Sequence, residues 1–97
     1  DYVSGTTKTY TDYMKDFYKF SIKNSEKLKN KNILDVGCND GSQLDVFKKN
    51  GFKTFGVDPA KNIYKISSKK HKVICGFFNE KIVNKINKKF DIIIFQN

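Results

Sequence analysis

Apolar positions in this chain follow a helical spacing at the start and form short continuous runs further on. Within residues 6–29, apolar or aromatic side chains recur every three or four residues with Lys and Asp between them. This spacing predicts an amphipathic helix, which Thr6 or Thr7 could cap. The aromatic members of the stripe, including Tyr13, Phe17 and Tyr18, are expected mainly to pack this helix against the rest of the molecule.

Four short apolar runs after this helix predict β-strands, and polar, periodic segments separate them. The predicted strands cover residues 32–36, 52–57, 72–75 and 90–95. The segments between them predict helices over residues 42–50 and 60–69, and a weak helix or loop over residues 79–88. Strands that alternate with helices in this way are typical of an α/β fold with a parallel sheet.

The last run, residues 90–95, is almost continuously apolar, which predicts burial on both faces of the sheet. The sequence stops at Asn97, directly after this core-type strand. A sheet that ended there would expose an apolar edge. We therefore expect the chain to be a fragment, and the remainder of a longer chain or another subunit to cover the last strand.

Charge and composition limit the classes of function. The net charge is +9, and every one of the nineteen basic residues is Lys. Proteins that read nucleic acids favour Arg for bidentate contacts, so a solvated Lys-rich surface is the preferred interpretation. A basic, non-enzymatic nucleic-acid-binding module remains an alternative. No apolar run is long enough for a membrane span and the N-terminus lacks a signal-peptide layout, so a cytoplasmic protein is expected.

The two cysteines and the single histidine are expected to be chemically quiet. Cys38 and Cys75 have no CxxC or CxxH partner, which excludes a zinc site built from this chain alone. Both are expected to be reduced thiols, on strands that are not neighbours. His71 lies between two lysines near a predicted helix end, where solvent exposure is the expectation.

Candidate chemistry lies in the turn after the first strand. Gly37 to Gly41 joins a strand to a helix, and Gly37 has no Cβ to keep a ligand from the main chain. Asp58 ends the second strand, where a carboxylate can accept both ribose hydroxyls; it could also be a helix N-cap before Pro59, and the two roles are compatible. An NAD-type Rossmann domain shares both features, although the turn lacks the G-x-G-x-x-G spacing.

Three segments carry a more specific resemblance. LDVGCNDG and FGVDPA resemble the first and second motifs of class I S-adenosylmethionine-dependent methyltransferases, and FDIIIFQN resembles their fourth strand with its polar tip. One departure is Asn39, where many of these enzymes have a second glycine; Asn tolerates the left-handed conformation that the turn requires. The resemblance implies a partial Rossmann-like domain over residues 32–97, with about four parallel strands and flanking helices, preceded by an N-terminal segment and helix over residues 1–31.

The segments YVSGTTKT, GCNDG and FFNE resemble, more narrowly, the nucleotide-sugar C-methyltransferases. That group has a cysteine-rich zinc-binding N-terminal part, a central cofactor domain and a C-terminal domain that helps to hold the sugar. The resemblance implies that this chain is the central part, with S-adenosylmethionine as cofactor and a nucleotide-linked sugar or similar small molecule as methyl acceptor. Whether a zinc-binding part precedes Asp1 is a question for the full-length sequence.

The resemblance also implies roles for individual residues around the cofactor. Gly37, Cys38 and Asn39 would line its methionine end, Gly41 would open the following helix, and Asp35 would steady the loop and reach the amino group through water. Asp58 would bind the ribose hydroxyls, Pro59 would lie near the adenine and Phe78 would pack against it. Asn97 would lie near the sulfonium and Tyr2 near the transferred methyl group. One of Phe77 and Phe78 is expected to pack in the core.

Methylation of a carbon beside a sugar ketone requires a base that removes the α-proton. No residue of the chain is a convincing base, and we expect this group to lie beyond Asn97. The 97-residue chain is therefore predicted to bind the cofactor weakly and to be inactive alone. The identity of the acceptor is not encoded in this part of the fold.

Overall fold

The computed structural model describes residues 8–25 and 28–96, and within them helices and strands alternate as the sequence predicts. In chain order the elements are α1 (Lys8–Lys23), β1 (Asn32–Val36), α2 (Ser42–Lys49), β2 (Lys53–Asp58), α3 (Lys61–Ser67), β3 (Lys72–Cys75), α4 (Glu80–Ile86) and β4 (Ile92–Phe95). β1 and β3 have the predicted bounds, α1 ends six residues before the predicted end, and the other described bounds differ by at most two residues.

The four strands form one parallel sheet in the order β3-β2-β1-β4. β1 is central, with β2 on one side and β4 on the other. Because the strands are parallel, the turn after β1, the loop after β2 and the tip of β4 meet at one edge of the sheet. The chain changes direction across the sheet between β1 and β4, which is where α/β sheets bind ligands. The predicted α/β fold is confirmed.

The main core lies between the sheet and the helices α1 and α2. Phe47, Ile33 and Leu44 have no exposed surface there. The ring of Phe47 packs edge-on against Tyr18 and Phe52, with centroid distances of 4.9 and 5.3 Å. Burial of a side chain of this size contributes about 2–3 kcal/mol, so α2 is held mainly by its predicted apolar face.

A smaller core covers the opposite face of the sheet. Leu34, Phe55 and Val57 are buried there, and α4 packs Ile82 and Ile86 against them. The weak apolar pattern of residues 79–88 therefore belongs to a helix that packs on the sheet. Asn79 caps α4, since its side-chain oxygen accepts a hydrogen bond from the Ile82 N–H at 2.9 Å.

Asp91 joins the loop before β1 to the start of β4. Its carboxylate accepts hydrogen bonds from the N–H groups of Lys29 at 3.1 Å and Asn32 at 2.9 Å. Desolvation alone would raise the pKa of Asp91, but the backbone N–H groups from residues 29 to 32 outweigh it and lower the pKa below its ordinary value. The apolar run of residues 90–95 predicts Asp91 inside a strand and gives no sign of this connection.

Two predicted elements differ from the observed ones for local reasons. α1 ends at Lys23 because Asn24 and Ser25 donate side-chain hydrogen bonds to carbonyls of the last turn, at 2.8 and 2.6 Å. α3 begins at Lys61, two residues after Pro59, and ends at Ser67.

The predicted burial of the last strand on both faces is wrong for the described chain. Ile94 is buried, but Ile93 is 50% exposed and Phe95 is 67% exposed. Successive side chains of a strand point to opposite faces of the sheet, and the face that carries Ile93 and Phe95 is left largely uncovered by residues 8–25 and 28–96. Within the same residues, no helix has the length and apolar character needed to cross a membrane.

Candidate functional site

The turn from Gly37 to Gly41 has the left-handed backbone that its composition predicts. Gly37 has a φ of 80° and Asn39 a φ of 55°, which confirms that Asn can replace a second glycine here. A Cβ on Gly37 would lie 2.6 Å from the carbonyl oxygen of Gln96. Glycine is therefore required by the close approach of the β4 tip, in addition to the backbone angle.

Asp58 connects this turn to the end of β2. It is buried, and its Oδ2 accepts a hydrogen bond from the Asn39 N–H at 3.0 Å. Its Oδ1 accepts from the Ala60 N–H at 3.0 Å, a local turn that precedes α3. Ala60 is the N-cap residue of α3, so the interpretation of Asp58 as the N-cap is wrong. Each carboxylate oxygen retains a second lone pair for a further donor.

Asp35 lies on β1, directly below the turn, and has no exposed surface. The side-chain amide of Gln96 donates a hydrogen bond to its Oδ2, whereas its Oδ1 has no partner among the described residues. Burial raises the pKa of Asp35 to about 7, the bond from Gln96 opposes the shift, and the charge of Asp58 adds to it. A buried carboxylate oxygen without a donor is complementary to a cationic or hydrogen-bonding group that approaches from the turn.

A cavity of about 370 Å³ opens at this edge of the sheet. Five of the predicted cofactor residues line it: Gly37, Asn39, Asp58, Pro59 and Phe78. The other lining residues are Val36, Val57, Gly76, Phe77 and Gln96. The Oδ1 atom of Asn39 is buried and has no partner within the described parts of the chain, so a second unsatisfied acceptor lies beside this cavity. The structure brings together acceptors suited to a ligand that carries hydroxyl and amino donors.

Cys38 and Gly41 belong to the turn but have different surroundings. The side chain of Cys38 points into the core against Gly56, where an added Cβ would lie 2.6 Å from the cysteine sulfur. Burial, together with the charges of Asp35 and Asp58, raises the pKa of the Cys38 thiol to about 12, so it stays protonated. Gly41 is the N-cap residue of α2. Both cysteines are free, as expected.

The aromatic pair after β3 was predicted only in part. Phe77 is 75% exposed and Phe78 is 37% exposed, so the expectation that one of them packs in the core is wrong. The ring of Phe78 instead packs edge-on against Phe95, at a centroid distance of 5.6 Å.

Gln96 was not singled out from the sequence, although it contacts both Asp35 and Gly37. Its only signal was its place after an apolar strand. Tyr2 and Asn97 lie outside the described residues.

Comparison with known proteins identifies the family. The family model described as "Methyltransferase domain" matches residues 8–97. The chain belongs to this methyltransferase domain family. No curated protein sequence matches the chain.

Solved structures with the same fold are distant in sequence. DesVI of Streptomyces venezuelae aligns over 96% of this methyltransferase domain with 20% identity and a TM-score of 0.69. The plantazolicin methyltransferase BpumL, solved with SAH, aligns over 88% with 22% identity and a TM-score of 0.56. CalS10 of Micromonospora echinaspora, an amino pentose methyltransferase solved with SAM, aligns over 92% with 17% identity and a TM-score of 0.56.

The chain is much shorter than these proteins. It covers 39% of DesVI, 33% of BpumL and 36% of CalS10. The methyltransferase domain described above therefore corresponds to about a third of each solved chain.

His71 supports the far end of the turn and is buried, so the expectation that it is solvated is wrong. Its Nδ1 lies 2.7 Å from Thr54 Oγ1 on β2, and its Nε2 lies 2.8 Å from Asp45 Oδ1 on α2. A neutral ring with its proton on Nε2 satisfies both contacts, because an ionised carboxylate only accepts. A Cβ on Gly41, whose φ is 87°, would lie 2.7 Å from this ring. In the methyltransferase domain, Gly41 thus makes room for His71.

Proposed function

We propose that this chain is the cofactor-binding portion of an S-adenosylmethionine-dependent methyltransferase that methylates a carbon of a nucleotide-linked sugar or a similar small molecule. The observation that carries the proposal is the hydrogen bond from the Asn39 N–H to Asp58. It joins the glycine-bearing turn and the acidic strand end at one cavity, in a chain of the methyltransferase domain family. CalS10 was solved with SAM and BpumL with SAH, which supports this choice of cofactor.

The residues around the cavity fit the donor groups of S-adenosylmethionine. Asp58 would accept the ribose hydroxyls through its remaining lone pairs, and the unpartnered oxygens of Asp35 and Asn39 would face the amino acid end. Pro59 and Phe78 would border the adenine. Gly37 and Cys38 would contribute main chain, and Gly41 would keep the turn in place from the α2 side. When bound, the cofactor would supply an electrophilic methyl group on its sulfonium.

A second cavity is proposed to receive the methyl acceptor. It measures about 260 Å³ and is lined by Tyr13, Phe17, Gln43, Ile94, Phe95 and Gln96. Gln96 borders both cavities, so an acceptor there would lie next to the donor. Aromatic side chains beside amide groups suit a sugar ring, which has an apolar face and polar edges. CalS10, an amino pentose methyltransferase of the same fold, supports a sugar as acceptor.

Catalysis would depend mainly on alignment, because methyl transfer from a sulfonium is an in-line displacement. A base for the acceptor carbon is proposed to lie beyond Asn97, and the cover of β4 is proposed to come from the remainder of a longer chain or from another subunit. Tyr2 and Asn97 keep their proposed places near the methyl group and the sulfonium. A cytoplasmic location remains a prediction.

The cofactor is tested by ligand-dependent stability of the full chain. S-adenosylhomocysteine at about one hundred times its Kd is expected to stabilise the fold by about 2.7 kcal/mol, whereas NAD should not. Asp58→Ala should abolish the stabilisation, and Asp16→Asn, on the exposed part of α1, should leave it unchanged. Stabilisation by NAD alone would show a Rossmann oxidoreductase domain instead.

The reaction is tested by transfer of a labelled methyl group from S-adenosylmethionine to a panel of nucleotide sugars. The full-length protein is expected to label a sugar carbon, and the 97-residue chain is expected to give no turnover. Turnover by the 97-residue chain would contradict the proposed place of the base.

A further inference from the structure

A groove of about 500 Å³ lies at the amino ends of β2 and β3, at the opposite edge of the sheet from the proposed cofactor cavity. Lys53 begins β2 and Asp58 ends it. Five residue steps along a strand separate the two edges by about 17 Å. A ligand in this groove would therefore bind independently of the cofactor.

Lysine dominates the groove far beyond its share of the chain. Six of the eleven residues that line it are lysines: Lys48, Lys53, Lys69, Lys70, Lys72 and Lys88. Nineteen of 97 residues in the whole chain are Lys, about one in five, so the composition alone does not account for this density. No carboxylate is among the described residues that line the groove. Ammonium groups that line one groove repel one another, and an anion between them relieves that repulsion.

Two of the six lysines are already engaged. Lys48 donates a hydrogen bond to the carbonyl oxygen of Lys70, and the Nζ of Lys70 lies 3.5 Å from Asp45, the carboxylate that also binds His71. These contacts fix one wall of the groove. The remaining four, Lys53, Lys69, Lys72 and Lys88, are exposed and have no ion pair within the described part of the chain.

The aromatic side chains of the groove do not offer a platform for bases. Phe52 and Phe55 are buried, at 4% and 7% exposure, and the Nζ of Lys72 lies 5.9 Å from the ring centroid of Phe55. Single-stranded nucleic acids bind through exposed aromatic stacking as well as charge, and their readers favour Arg. Lysine acts on phosphate as a compact point charge. The groove therefore favours an anion that presents phosphates alone.

We propose that this groove is a binding site for a short chain of linked phosphates, either a free oligophosphate or the phosphate tail of a nucleotide. Its volume falls in the range of small-molecule sites. Lys53, Lys72 and Lys88 surround the anion, with Lys69 at the end of the turn after α3, and the His71 network holds the wall behind them.

Isothermal titration of the full chain with inorganic triphosphate, at about 50 mM salt, tests the site. The expected result is binding of one triphosphate that weakens when the salt is raised to about 200 mM. The variant Lys53→Gln/Lys72→Gln/Lys88→Gln should lose at least about tenfold in affinity. The matched variant Lys23→Gln/Lys65→Gln/Lys81→Gln removes the same charge from exposed positions on α1, α3 and α4, and should lose less than about threefold.

Parallel titrations identify the source of the phosphates. ATP that binds as tightly as triphosphate indicates a site for phosphates alone, and ATP that binds more tightly indicates a nucleotide tail; both support the site. The absence of triphosphate binding, or an equal loss in the two triple variants, would overturn the proposal. Binding of a short oligouridylate that triphosphate does not displace would also overturn it and would indicate a nucleic-acid surface.

S-adenosylhomocysteine should leave the triphosphate affinity unchanged, and direct competition between the two ligands would contradict the separate location of the groove.

Discussion

Asp35 lies on the central strand β1, directly below the turn that lines the proposed cofactor cavity, and its carboxylate has no exposed surface. Burial raises its pKa from an ordinary value of 3.8 to about 7. Between about pH 4 and pH 7, the folded chain therefore keeps a proton that the unfolded chain has released. The free energy of unfolding then decreases as the pH rises through this interval, because the folded state binds more protons.

Asp35→Asn removes this titration while preserving the shape of the side chain. The contribution of Asp35 to the pH dependence is on the order of 3 kcal/mol between pH 4 and pH 7, and the variant should lose it. The Asp35→Asn variant should therefore be more stable than the wild type at pH 8. Its affinity for S-adenosylhomocysteine at pH 8 should decrease, because an amide attracts the amino group of the ligand less than a carboxylate.

Denaturant unfolding of both proteins at several pH values measures this difference. Asp16→Asn, on the exposed part of α1, is the matched control and should keep the slope of the wild type. If Asp35→Asn also kept the full slope, the buried carboxylate would not be the group that titrates.

The residues of the turn could be predicted from the sequence, but the hydrogen-bond partners around the turn could not. Gly37, Asn39 and Asp58 were identified because left-handed turns and acidic strand ends have local signatures. Gln96 was missed because its contact with Asp35 spans 61 residues and depends on which strands are neighbours. A partner at that separation leaves no periodic pattern in the sequence.

At the scale of elements, His71 connects the segment before β3 with β2 and α2. Burial lowers the pKa of His71 below its ordinary 6.5; the charges of Lys48 and Lys70 also lower it, and Asp45 opposes them. The neutral ring therefore stabilises the fold above about pH 6.5, and this contribution is lost as the pH falls through the lower pKa of the folded state. This pH dependence of stability has the opposite sign to that of Asp35. The contribution of His71 can therefore be measured by itself in the Asp35→Asn variant.

His71→Ala should reduce the free energy of unfolding by about 2–4 kcal/mol, because it leaves the buried Thr54 hydroxyl without its ring partner, removes the bond to Asp45 and opens a cavity. His71→Phe retains the ring volume and separates packing from hydrogen bonding; it should still lose about 1–3 kcal/mol. Thermal unfolding above and below pH 6.5 measures both. A His71→Phe variant as stable as the wild type would show that the ring acts only by filling space.

The sequence could predict strands and helices because each has its own apolar period, and β1 and β3 were predicted with their observed bounds. It could not predict the surroundings of His71, which is flanked by two lysines and resembles a solvated residue. Its partners are 17 and 26 residues away, on other elements. Burial on both faces of β4 was predicted from its apolar run, but the elements that pack on each face, rather than the composition of the strand, decide which face is covered.

At the scale of the whole molecule, the parallel sheet separates two kinds of charge. The carboxyl edge holds Asp35 and Asp58 beside the proposed cofactor cavity, whereas the amino edge holds the lysines of the groove. All strands point the same way, so every loop after a strand contributes to one edge and every segment before a strand contributes to the other. Six of the nineteen lysines line the groove, whereas none is among the described residues that line the proposed cofactor cavity, so the lysines of the groove need not weaken the binding of a cationic sulfonium.

The edge strand β4 gives the 97-residue chain a defined route to self-association. Its outer edge has no neighbouring strand among the described residues, and Ile93 and Phe95 are 50% and 67% exposed. An apolar edge of this kind pairs with another strand, which in isolated chains is a second copy. Ile93→Lys/Phe95→Lys should keep the chain monomeric at concentrations where the wild type forms dimers or larger species, as measured by sedimentation equilibrium.

Ile66→Lys/Val83→Lys changes two equally apolar, exposed residues on α3 and α4 and should not prevent association. A wild-type chain that stays monomeric at high concentration would refute this role of β4, as would equal effects of the two double variants.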